Sequence, residues 1–107
     1  MTTFDKREKA YENKFAHDEA LKFKAEARRN KLLGLWAAEL LGKGGGDADD
    51  YIREVVRSDF EEPGDEDVFR KVRSDLDAAG ITLSDDDLRD KMVELMNQAV
   101  DEIENEA

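Results

Sequence analysis

Apolar residues in this 107-residue chain recur at steps of three and four, and no stretch alternates apolar with polar. That periodicity belongs to helices packed on one side and excludes a half-buried sheet. The clearest case starts at Ser84, a good N-cap with Asp87 three residues on. Leu83 and Leu88 flank the cap at the spacing of a hydrophobic staple. Leu88, Met92, Leu95, Met96, Ala99 and Ile103 then form one stripe of about five turns, widened by Val93 and Val100. A second helix opens at Gly64-Asp65, with Glu66 and Asp67 at the positive end of its dipole. Val68, Phe69, Val72 and Leu76 give its face, and Gly80 ends it as a left-handed cap with Ile81 behind. A third is predicted from an Asp47 cap, with Asp50 at the capping-box position and a stripe of Tyr51, Ile52, Val55, Val56 and Phe60. Pro63-Gly64 stops it. A fourth runs from about Leu21 to Leu41, with Leu21, Ala25, Leu32, Trp36 and Leu40 roughly aligned and Gly42 at its end. Gly34 inside it costs about 1 kcal/mol against alanine, which predicts close helix approach beside Trp36 rather than a hinge. The expected fold is all-α: a small four-helix bundle with short connections.

Charge divides the chain. Residues 1–31 carry nine basic and six acidic side chains, and residues 32–107 carry eight and 22, so a +3 segment precedes a −14 body. The first 31 residues hold five large apolar side chains beyond Met1 (Phe4, Tyr11, Phe15, Leu21, Phe23), against 24 in the remaining 76. The expected division is an arm at 1–19 and the bundle at 20–107. Phe4, Tyr11 and Phe15 fall on one helical face, with Lys6, Arg7, Lys9 and Lys14 between them. A helix so short is marginal in water by itself. It has the spacing of a segment that lays anchors into a partner's groove; the alternative is a fifth element docked on the bundle. His17, the only histidine, closes the arm. Its unperturbed pKa near ~6.5 would let the charge of the arm change near neutrality; a solvated histidine without a role is the alternative.

Composition excludes much else. With no cysteine there is no disulfide framework and no thiolate metal site, and one histidine is too few for a typical zinc site. The net charge of −11 opposes general nucleic-acid binding. No apolar run reaches transmembrane length, and Met1-Thr2-Thr3-Phe4-Asp5 lacks a signal-peptide core, so an intracellular location is expected. The stretch Gly42-Lys43-Gly44-Gly45-Gly46-Asp47 lacks the P-loop pattern and reads as a plain connection. The acidic runs at 61–67 and 85–87 sit at helix starts and do not match a calcium loop. No nucleophile–base pair stands out, so no catalytic, cofactor or metal residues are assigned and the chain is not expected to be an enzyme.

Two long stretches carry a resemblance. One is Lys14-Phe15-Ala16-His17-Asp18, running on to Phe23-Lys24-Ala25-Glu26-Ala27-Arg28-Arg29-Asn30-Lys31-Leu32-Leu33-Gly34. The other is Ser58-Asp59-Phe60-Glu61-Glu62-Pro63-Gly64-Asp65-Glu66-Asp67-Val68-Phe69-Arg70-Lys71, and Lys91-Met92-Val93-Glu94-Leu95 adds a shorter piece. Together they resemble the zeta subunit of alphaproteobacterial F-type ATP synthases, over essentially the whole chain. The resemblance implies an inhibitor of ATP hydrolysis by the catalytic head. It implies an N-terminal segment that is mobile when free and helical when wedged between an alpha and a beta subunit, touching the gamma rotor. It also implies a cytoplasmic place, peripheral at the inner membrane through the synthase, with no direct insertion. Within that segment, spacing marks Phe4, Tyr11 and Phe15 as anchors and Lys6, Arg7 and Lys14 as charge contacts, with His17 beside them. The competing reading is a basic arm that binds nucleic acid or another anionic surface.

Overall fold

The computed structural model describes residues 18–60 and 65–106. These form four α-helices and no strand: α1 (Glu19–Leu40), α2 (Gly45–Ser58), α3 (Glu66–Ala78) and α4 (Asp85–Glu106). The all-α four-helix arrangement expected from periodicity is therefore present. The Pro63-Gly64 stop lies outside the described residues.

Helix α1 is the central element and packs most extensively on α2 and α4. Its buried side is Ala25, Arg29, Asn30, Leu33, Gly34, Ala37 and Ala38. This corrects the expected stripe: Leu32 and Trp36 only flank the core, and Leu40 is exposed. The reason is the α1–α2 approach. A Cβ on Gly34 would lie 3.0 Å from the Ile52 Cα, so small residues occupy the crossing and large ones are displaced to its rim. Gly34 thus serves close approach, with Ile52 as the neighbour.

The main core gathers Leu33, Ala37, Tyr51, Val55, Val68, Val72, Leu76, Leu88, Met92 and Leu95. Ala25, Val100 and Ile103 form a second cluster with Leu21 and Met96. It joins the start of α1 to the end of α4. Each fully buried aliphatic side chain contributes about 1.5–3 kcal/mol.

The helix ends match local chemistry in three places. Ser84 Oγ accepts from Asp87 N at 3.0 Å, capping α4. Gly80, at φ 74°, ends α3: its N–H donates to Asp77 O and that of Ile81 to Leu76 O, the Schellman pattern. Gly42 closes α1 in the same way, through Glu39 O and Ala38 O. Two caps differ from expectation. α2 starts earlier, at a Gly44 cap without a side-chain bond, and Asp47 lies in its first turn. Asp65 holds the N-cap position of α3 but caps nothing with its side chain, which is committed elsewhere. Phe60, expected on the buried stripe of α2, is 70% exposed just past the helix end.

Candidate functional site

The residues marked by sequence as the partner-binding set, Phe4, Lys6, Arg7, Tyr11, Lys14, Phe15 and His17, lie outside the described residues. Asp18 is the first described residue. Asp18 is extended and caps α1, its Oδ1 accepting from Ala20 N at 3.0 Å and Leu21 N at 3.2 Å. The helix behind this cap is fixed to the end of α4. Arg28 reaches Glu106 and, at 3.6 Å, Glu102; Lys24 reaches Glu106 at 3.6 Å. The Arg28 guanidinium holds the Glu106 carboxyl below its ordinary value. Beneath these exposed pairs lie Ala25, Val100 and Ile103. The apolar contacts carry most of the attachment, because exposed ion pairs contribute little.

At the residue after Arg28, α1 turns a charged side chain into the interior. Arg29 is 2% exposed. Its Nη2 donates to Asp65 Oδ1 at 2.8 Å and its Nε to Asn30 Oδ1 at 2.7 Å. Asn30 is buried as well. Burial raises the carboxyl of Asp59 above its ordinary value, with Arg29 acting against that rise. Burial also raises Glu26, helped by repulsion from Asp65 and Asp59. A buried guanidinium is costly unless its donors are filled, so this group pins the start of α3 to the middle of α1.

A cleft of about 340 Å³ opens beside it, between Glu26, Arg29, Asp65, Arg89, Met92 and Met96. Arg89 stacks on Phe69, 4.0 Å from the ring centre, and binds Glu66 at 3.0 Å. Its lining joins a methionine floor to paired cations and carboxylates, with no cysteine, serine or histidine on it. Among the described residues no group of three or more His, Cys, Asp or Glu is arranged to hold a metal ion. Sequence reasoning missed the Arg29–Asp65 pair. The signal was present: Ala25, Arg29, Leu33 and Ala37 share one i, i+4 line, so an arginine stood within an apolar stripe.

A second polar contact lies across the bundle. Tyr51 donates to Asp75 Oδ2 at 2.9 Å, and Lys71 lies over its ring at 5.4 Å. Burial pushes the phenol well above its ordinary value, so Tyr51 stays protonated and acts as a structural donor. Among the described residues no helix is long and apolar enough to cross a membrane.

The fold has a solved counterpart. A solution NMR structure superposes with a TM-score of 0.70 at 50% sequence identity, covering 81% of this chain and 99% of that one. No curated protein sequence matches the chain significantly. Residues 1–102 match the family described as ATPase inhibitor subunit zeta, a span that takes in both the N-terminal segment and the four helices. The chain belongs to the ATPase inhibitor subunit zeta family.

Proposed function

We propose that this chain blocks ATP hydrolysis by the F-type ATP synthase catalytic head, with residues 1–19 inserting as a helix at an alpha/beta catalytic interface. The observation that carries the reading is the family match, which starts at residue 1 and so includes the aromatic-bearing arm. Phe4, Tyr11 and Phe15 anchor the inserted helix; Lys6, Arg7 and Lys14 supply its charge contacts, and the gamma rotor lies within its reach. His17 stands one residue before the Asp18 cap of α1, where arm and bundle meet. The bundle holds the arm at the enzyme and performs no chemistry of its own. The protein then sits at the cytoplasmic face of the inner membrane through the synthase, without inserting into the bilayer.

The physical logic is a division of labour. The described core closes around side chains from α1 to α4, so the bundle has its own source of stability. The arm carries too few apolar side chains to bury a core and gains order by docking into a groove.

The test adds purified chain to the cognate head and follows ATP hydrolysis. Full-length chain should inhibit. A chain lacking residues 1–17 should not, while keeping its helical content and cooperative melting. Inhibition by the truncated chain would overturn the arm mechanism; no inhibition by the full chain would overturn the reading as a whole. Tight, salt-sensitive binding of the full chain to DNA, without effect on the head, would favour the anionic-surface alternative.

A further inference from the structure

Helix α2 carries more apolar surface than the core uses. Its buried face is Tyr51, Val55 and Ser58. A second stripe, Ile52, Val56 and Phe60, runs beside it at steps of four. Ile52 and Val56 are half-buried, and Phe60 is 70% exposed. All three line a shallow cleft of about 350 Å³, together with Lys31 from α1 and with Arg53 and Arg57.

Charge supplies the second observation. Acidic residues outnumber basic ones by 28 to 17 over the chain, yet the three charged residues lining this cleft are all basic. An apolar stripe edged by cations fits a segment that presents apolar side chains among Asp and Glu. The chain's own N-terminal segment is a poor occupant, since residues 1–17 carry four basic and three acidic side chains, a net +1 beside a basic edge. A second copy is disfavoured as well, because each copy carries −11.

We propose that the Ile52–Val56–Phe60 face, edged by Lys31, Arg53 and Arg57, docks an acidic, apolar-bearing segment of the catalytic head. This rests on the inhibitory reading above and adds a contact made by the bundle. The arm blocks, and the α2 face tethers. Two linked contacts raise the effective concentration of the arm at its groove without any change in the arm.

The experiment uses the full chain with its arm intact. Phe60→Ser and the double charge reversal Arg53→Glu/Arg57→Glu are compared with the native protein for inhibition of the purified head. Both alter exposed positions, and thermal melting verifies that each folds. The concentration for half-inhibition should rise at least tenfold, with inhibition still complete at saturation. A benzophenone side chain placed at position 60 should crosslink to an acidic segment of the head. Variants that inhibit at the native concentration overturn the proposal while the inhibitory reading stands. So does a crosslink confined to residues 1–17 or to a second copy. No inhibition by the native chain removes the inhibitory reading and this proposal with it.

Discussion

Gly34→Ala sets two effects of known sign against each other. Glycine within α1 costs about 1 kcal/mol of helix stability, so alanine should gain that much by propensity. Against it stands the added methyl group, 3.0 Å from the Ile52 Cα and 3.3 Å from its Cγ1. The nearest atom is backbone, so a change of rotamer gives no relief, and α1 and α2 must separate by a few tenths of an ångström. Overpacking of this kind costs about 1–3 kcal/mol, with the upper part expected for a backbone contact. The net loss is then about 1–2 kcal/mol. For a domain of this size that lowers Tm by roughly 5–15 °C. Gly46→Ala is the control: it lies in the first turn of α2 with nothing within 4 Å, and should be neutral or stabilise by up to about 1 kcal/mol. Thermal and urea unfolding by circular dichroism measure both. A Gly34→Ala protein as stable as the native one, or more so, would refute the argument that this crossing selects the buried face of α1.

Four further outcomes are expected. Asp65→Ala leaves the buried Arg29 guanidinium short of its 2.8 Å partner and should cost about 1–3 kcal/mol in urea unfolding, far more than Glu106→Ala at an exposed pair. Burial first, then Asp65 and Asp59, raise the Glu26 carboxyl, so its stabilising contribution is present below the unfolded pKa and lost as pH rises through the folded one. Glu26→Gln should therefore raise Tm at pH 7 relative to native, with the difference shrinking as pH falls through the raised folded pKa and gone below about pH 4, as read from melts across pH. Tyr11→Ala and Phe15→Ala should weaken inhibition by roughly 2 kcal/mol or more and leave Tm unchanged; loss of the melting transition instead would make them core residues. Inhibition by the native chain should vary between about pH 6 and 8, and His17→Ala should flatten that profile; identical profiles would leave His17 a solvated side chain.

Much of this molecule could be read from local sequence. The four helices, the Ser84 cap, the Gly80 ending and the face of α4 depend on neighbours within a few residues, and the structure has them as expected. The resemblance carried by the two long stretches implied an inhibitory subunit, and the family match agrees. The tertiary structure decided which apolar face each helix uses. On α1 the large side chains Leu32, Trp36 and Leu40 suggested the wrong centre, because the closeness of the Gly34–Ile52 crossing favours Ala37 and Ala38 there. On α2 two apolar stripes were present, and only the packing partners chose Tyr51 and Val55 over Ile52, Val56 and Phe60. Asp65 looked like a helix cap and instead holds an arginine 36 positions earlier in the chain. Periodicity specifies that a helix has an inside. The identity of that inside depends on how closely helices distant in sequence approach, and backbone volume at the crossing sets that distance.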